Sequence, residues 1–492
     1  MEQFILSIDQ GTTGTTVLAV SKDGSVVGRG YREFRQIFPR AGWVEHDPAD
    51  IWDSTLAAID GATRASGIAP GQVAAVGITN QRETTVVWNR DTGKPVHNAI
   101  VWQCRRTADF CDALKQRGLE DTFRTKTGLV LDPYFSGTKL NWILNNNDEA
   151  ARLAQAGKLA FGTVDSFLAY KLSGGAVHVT DVSNASRTLL LNLHTLAFDP
   201  ELLDILGIPA GVLPELVENT GEFGRTKGVQ GLRDGIPIAG MAGDQQSALF
   251  GQACFNPGEG KCTFGTGAFM LVNIGNVPRS SSHGLLTTVA WKIRGVTTYA
   301  FEGSAFIAGA AVQWLRDGLK ILSAAPEIEA LALTVPDSGG VVFVPALTGL
   351  GAPHWRPQAR GALTGITRGT TRGHIARAAL EGIALQNRDI MNAMAEDLGL
   401  PLASIRVDGG AAANNLLMQL QADLLATRVL RPRQIETTGL GAAFLAGLGI
   451  GFWPDNEALS KAWQLDREFV PGADAAATQT LVRQWTEAVG KA

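Results

Sequence analysis

Cysteine is scarce in this chain, and what little there is excludes two chemistries. Cys104, Cys111, Cys254 and Cys262 show no zinc-type clustering, and four cysteines in 492 residues make no disulfide framework. A reducing, cytoplasmic setting is expected. Long apolar runs are missing too. The apolar stretch behind acidic Glu2 is only five residues, too short for the core of a signal peptide. The Ala/Gly-rich run YAFEGSAFIAGAAVQWL carries Glu302 near its start and is short for a bilayer crossing, so no stable membrane insertion is expected. No long basic run accompanies the net charge of −4, which argues against nucleic acid as a partner. What is present, 45% hydrophobic and 18% charged residues, is the composition of a soluble globular protein, and the length calls for two domains.

Lysine is absent where it would be most informative. In LSIDQGTTGTTVLAV (6–20), an apolar run reaches Asp9, turns through glycine and threonine, and resumes as a second apolar run. A Walker A loop needs a lysine in that turn, and a dinucleotide fingerprint needs a following helix; neither is here. A β-hairpin turn remains. It reads as a plain tight hairpin, with Gly11 and Gly14 supplying positive φ. It can also be read as a nest of N–H groups and threonine hydroxyls for phosphate oxygens, though taken alone the plain hairpin carries more weight. Asp9 would repel phosphate unless a divalent cation stood between them, which argues for Mg²⁺.

Two more glycine turns favour the second reading: FGTGAF (264–269) and DGGAAANN (408–415). Three such turns at strand ends suit a long polyanion such as a nucleoside triphosphate. Strands are predicted over 4–8, 14–20 and VAAVGITN (73–80), a helix over PADIWDSTLAAIDGATRAS (48–66), and a strand, turn and long helix over IRVDGGAAANNLLMQLQADLLA (405–426). GKCTFGTGAFMLVNI repeats the style of the opening stretch. This suggests two related halves, joined near 245–258, with FNPGEG as the hinge. Domains over 1–250 and 251–492 are expected.

The chain resembles the FGGY family of carbohydrate kinases, and the family's two diagnostic patterns stand at YFSGTKLNWILNN (134–146) and GALTGITRGTTRGHIARAALE (361–381). The likeness runs from about residue 4 to about 455. It implies an α/β fold of two actin-like, ribonuclease H-like domains around a central cleft, with ATP and Mg²⁺ as cofactors. A homo-oligomer, dimer or tetramer, is expected. ITNQRETTVVWN (78–89) and AIVWQCRRTADFC (99–111) resemble the glycerol-phosphorylating branch, rather than the members acting on erythritol or xylulose; an actin-like nucleotide switch is a more distant reading. By that resemblance Arg82, Glu83, Tyr134, Asp244 and Gln245 would contact glycerol hydroxyls, and Trp102 and Phe269 would line its carbon edge. A site so built discriminates because a missing hydroxyl leaves buried polar groups unpaired.

The resemblance also makes Asp244, in MAGDQQSALFGQ, the general base on the acceptor hydroxyl, and Asp9 the metal-side carboxylate. Thr12, Thr13 and Gly14 would hold phosphates from the first domain and Thr266 from the second; Gly309, Gln313, Gly410 and Asn414 would hold the nucleotide. Closure of two domains would keep water, a competing nucleophile, from the transfer. Thr16 stands where many relatives of that branch carry an arginine. EFGRTKGVQGLRDGIPIAG (222–240) has no histidine and no close Gly-Gly pair, so neither phosphohistidine activation nor fructose bisphosphate inhibition is expected.

Overall fold

The computed structural model describes residues 2–492 apart from positions 357 and 473. The first sheet begins with an antiparallel meander of β1 (Phe4–Gln10), β2 (Gly14–Val20) and β3 (Val26–Glu33). Helix α1 (Pro48–Ser66) follows; its N-cap Asp47 accepts from Ala49 N, and Gly67 ends it in the left-handed conformation. Next come β4 (Val73–Asn80), β5 (Thr220–Arg225) and β6 (Pro237–Gly243), giving the order β5-β6-β4-β1-β2-β3, with β1, β4 and β6 mutually parallel.

Helix α2 (Asp244–Gly251) leads into the second sheet. Its strands β7 (Gly260–Phe264), β8 (Ala268–Gly275), β9 (Leu286–Ile293), β10 (Val296–Ala305), β11 (Ser404–Asp408), β12 (Arg428–Pro432) and β13 (Leu465–Phe469) lie in the order β9-β10-β8-β7-β11-β12-β13. The hairpin β7–β8 is antiparallel and β11 pairs parallel beside β7. That is the relation β1–β2 bears to β4, so the two halves share one plan.

The inner strands β1, β2, β4 and β6 are buried on both faces, which is why they read as nearly continuous apolar runs, whereas the edge strands β3 and β5 are partly exposed. Leu6, Ile8 and Val17 pack with Ile51 and Ala58 of α1, while Ile5, Leu18 and Ala75 pack under Leu440, Ala443 and Phe444. The latter belong to a helix late in the chain. In chain order, the helices of the second half of the chain include α3 (Gly309–Asp317), α4 (Arg372–Leu398), α5 (Asn415–Leu425), α6 (Thr437–Gly449) and α7 (Ala475–Lys491). Helix α6 lies on β1, β4 and β6 and crosses α2. The crossing is backbone on backbone. A methyl on Gly441 would overlap the Ser247 carbonyl, and one on Gly251 the Thr437 carbonyl. Ser247 Oγ donates to Thr438 O at 2.7 Å across it. Among the described residues, no helix is long and apolar enough to cross a membrane.

Candidate active site

Parallel strands end together, and three ends of the first sheet meet at one place. Gln10, Asn80 and Gly243 are neighbours across β1, β4 and β6. The residues just beyond them are the first turn, Arg82–Glu83, and Asp244. In the second sheet Thr263 of β7 pairs with Asp408 of β11, so turn 265–267 and turn 409–413 also lie side by side.

The first turn takes its shape from close packing, not from positive φ: neither Gly11 nor Gly14 adopts it. Gly14 is required because a side chain there would meet Arg32 O at 2.7 Å. Gly11 N donates to Gly14 O at 3.0 Å. A buried amide relay props the turn from behind. Gln81 Nε2 donates to Gln10 Oε1 (3.0 Å), His46 Nε2 meets Gln36 Oε1 (2.7 Å), and Gln36 Nε2 donates to Thr12 O (2.9 Å). Burial pushes the His46 imidazole down to about 4, so it serves as a neutral hydrogen-bonding group. The Thr12 hydroxyl accepts from Trp102 Nε1 at 2.9 Å, while Thr13 is exposed.

Asp9 is half-buried at the end of β1. Burial first, then the charges of Asp244 and of Glu436, push its carboxyl up to about 8. Asp244 opens α2 and Glu436 immediately precedes α6, so both charges that act on Asp9 stand at helix N-termini. Positive helix ends beside a carboxylate are suited to a metal-bound polyanion.

Beside it lies a buried ion network. Arg82, 2% exposed, donates from Nη1 to Glu302 Oε2 (2.5 Å) and from Nη2 to Glu302 Oε1 (3.0 Å) and to the Tyr134 hydroxyl (3.3 Å). Its Nε stands 3.1 Å from Asp244 Oδ1. Arg187 donates from Nε to Glu83 Oε1 (2.7 Å) and from Nη2 to Glu302 Oε1 (2.9 Å). Burial would raise Glu302, but Arg187 and then Arg82 hold it down to about 2. Burial raises Glu83, against the pull of Arg82 and Arg187. Glu83 sits at φ 60°, an uncommon conformation for a non-glycine residue that costs about 1–2 kcal/mol. Ser136 Oγ anchors its carbonyl at 3.0 Å.

The other wall is aromatic. Trp102 meets Tyr134 at 5.6 Å and Phe269 at 6.4 Å between centroids, both edge to face. Lys139, from the first diagnostic pattern, is fully buried and donates to Tyr134 O at 2.5 Å, fixing the turn that carries this ring; burial lowers its amine to about 8. Gln245 has its carbonyl oxygen occupied by a hydrogen bond from buried Lys261 Nζ, which also reaches Thr263 Oγ1 at 2.8 Å. Arg82, Glu83, Tyr134, Asp244, Gln245, Trp102 and Phe269 therefore stand in one connected cluster, linked directly or through Glu302, Arg187 and Lys261.

The expected nucleotide residues are less uniform. Thr266 is exposed on its turn, and its carbonyl accepts from Ala308 N and Ala310 N. Gly309 gives its own N–H to Gly265 O (3.0 Å), so it shapes the turn's support and has no free donor there. Gln313 is exposed on α3, and Gly410 is exposed after Gly409 at φ 83°. Asn414 caps α5 through Oδ1 to Leu417 N (2.8 Å), leaving only its amide nitrogen for another partner.

Arg187, Glu302, Lys261 and His46 went unnoticed at sequence level as site residues. The signal for two of them was a charge inside an apolar run: Glu302 in YAFEGSAF and Arg187 before TLLL. Such charges persist in a core only when paired.

Family comparison gives this geometry its place. Residues 4–251 match the model of the FGGY family of carbohydrate kinases, N-terminal domain, and residues 260–450 match that family's C-terminal domain. A glycerol kinase of Trichlorobacter lovleyi is 57% identical over 99% of this chain and 98% of its own. A glycerol kinase of Myxococcus xanthus is 56% identical over 100% of this chain and 99% of its own. The crystal structure of Plasmodium falciparum glycerol kinase with ADP superposes with a TM-score of 0.93 at 36% identity, covering 100% of this chain and 98% of that one.

Proposed function

Since the chain belongs to the FGGY family of carbohydrate kinases, we propose that it transfers the γ-phosphate of ATP to glycerol, giving sn-glycerol 3-phosphate and ADP. The observation that carries this reading is the pocket's division into a polar wall of Arg82, Glu83, Asp244 and Gln245 and an aromatic wall of Trp102, Tyr134 and Phe269. A triol has hydroxyls for the first and CH edges for the second. The relatives named glycerol kinase support it across the whole length.

In this mechanism Asp244 accepts the proton of the attacking hydroxyl as its oxygen bonds to the γ-phosphorus and the bridge to the β-phosphate breaks. Late proton acceptance of this kind contributes about 10²–10⁴-fold. Arg82, 3.1 Å away, aims that carboxylate, and Glu83 accepts from the glycerol hydroxyls. The turn of Thr12, Thr13 and Gly14 and the turn of Thr266 hold phosphate oxygens, while Gly309, Gln313, Gly410 and Asn414 border the nucleotide. Asp9 fits Mg²⁺, which takes one or two carboxylates and completes its shell with water and phosphate oxygens. No group of three or more acidic, histidine or cysteine side chains among the described residues could cage a metal alone. Bound there, the cation would offset charge on the phosphates.

In this reading the acceptor-binding domain spans 1–250 and the nucleotide-binding domain 251–492, in a cytoplasmic homo-oligomer, dimer or tetramer, whose size light scattering measures. Four buried free cysteines suit that compartment. The decisive experiment incubates the protein with ATP, Mg²⁺ and glycerol, erythritol or D-xylulose, and identifies the phosphorylated product. A pentulose with the higher kcat/KM would overturn the assignment.

A further inference from the structure

The acceptor pocket is not the property of one domain. Antiparallel pairing of β7, β8 and β10 places Lys261 and Thr263 opposite Leu271 and Phe269, and these opposite Glu302 and Ser304. These six residues share one face of the second sheet. The other face, with Cys262, Met270 and Phe301, enters that domain's own core. The first face meets the first domain, and its two charges each take hold of an acceptor residue: Glu302 takes Arg82 and Lys261 takes Gln245.

We propose that Glu302 is a positioning residue for the acceptor, a carboxylate from the second sheet that fixes the orientation of Arg82 directly and of Glu83 through Arg187. The two oxygens of Glu302 receive three N–H bonds, two from Arg82 and one from Arg187, with lengths of 2.5 to 3.0 Å. This two-pronged grip leaves the guanidinium of Arg82 one orientation, with Nε toward Asp244 and Nη2 toward Tyr134. Arg187 carries the constraint onward, since the guanidinium that meets Glu302 also holds Glu83 Oε1. Glu302 is 1% exposed and lies behind Arg82, so it does not itself touch substrate. Bidentate carboxylate–guanidinium pairing is the geometry that sets angle as well as distance. Glutamine at 302 retains one acceptor oxygen and presents an N–H₂ to a cationic fork, so Arg82 turns toward Asp244 and Glu83.

The proposal rests on the glycerol reading above, and the test separates the two. Wild type, Glu302→Gln and Glu302→Asp are compared for KM(glycerol), KM(ATP) and kcat, and Glu302→Gln is repeated in an Arg82→Lys background. For Glu302→Gln the expectation is a rise in KM(glycerol) of about tenfold or more with KM(ATP) within about twofold. In the Arg82→Lys background the same change should add little, because the fork it orients is gone. Equal changes in both KM values, or additive effects of the two substitutions, overturn the proposal. If glutamine at 302 prevents folding, Glu302→Asp, which retains the charge but withdraws it by one methylene, takes its place, and the same outcomes support or overturn the proposal. A wild-type protein inactive on glycerol would instead overturn the function, whatever the variants do.

Discussion

Replacing Asp9 by asparagine should make the ligand-free chain more stable, by an amount that grows with pH. Burial, then Asp244, then Glu436, move the Asp9 carboxyl from its ordinary 3.8 to about 8. Between those values the folded chain holds a proton that the unfolded chain has released. Stability therefore falls as pH rises, by about 1.4 kcal/mol per unit. Below 3.8 both states are protonated and the contribution is fully present; above about 8 both are ionised and it is lost. Asparagine does not titrate. From pH 5 to pH 8 the variant should gain on its parent by about 4 kcal/mol at the ceiling, and by about 1–2 kcal/mol once water around a half-buried carboxylate is counted. Urea denaturation of both proteins at pH 5, 6.5 and 8, without nucleotide or divalent cation, measures this; groups common to both cancel. Adding Mg²⁺ and ADP should then raise the midpoint of the parent more than that of the variant. A stability difference that stays flat with pH, or favours the parent at pH 8, would refute the reasoning.

Three further outcomes follow from the same geometry. Asp244→Asn should lower kcat by about 10²–10⁴-fold while glycerol still binds, as steady-state kinetics with calorimetry would measure; near-parental turnover would remove the general base. Trp102→Ala takes away both the ring between Tyr134 and Phe269 and the bond to Thr12, so KM(glycerol) should rise about tenfold or more while kcat falls less. Gly14→Ala pushes a methyl against the Arg32 carbonyl and should cost about 1–3 kcal/mol by urea denaturation, with a weaker hold on ADP.

Much of this was legible in the sequence because the signals were local. Strands expected at 4–8, 14–20 and 73–80 announced themselves as apolar runs, the first running on to Gln10, and the helix at 48–66 by its opening proline and its period. The likeness of the two Gly/Thr hairpins anticipated the shared plan of the two sheets. The family resemblance marked out the candidate acceptor residues, and the fold brings those residues into one cluster. What stayed hidden depends on partners distant in the chain. Glu302 meets Arg82 across 220 positions, and Arg187 meets Glu83 across 104; nothing near either residue says so. The first turn shows the same limit in miniature. Its glycines suggested positive φ, but Gly14 is demanded by the neighbouring strand β3, whose approach no local pattern encodes.

The crossing of α2 and α6 has a mechanical consequence. Helices that interlock by side-chain ridges cannot change their angle without climbing over one another. Here Gly441 and Gly251 let main chain meet main chain, so no side-chain ridge at those two points stands against a change of angle. In any rotation about such a crossing, residues close to it travel least and residues far from it travel most. Asp244 is the first residue of α2, one of the two crossing helices. Under the proposed function, Asp244 would keep its place beside the attacking hydroxyl while residues farther from the crossing move more.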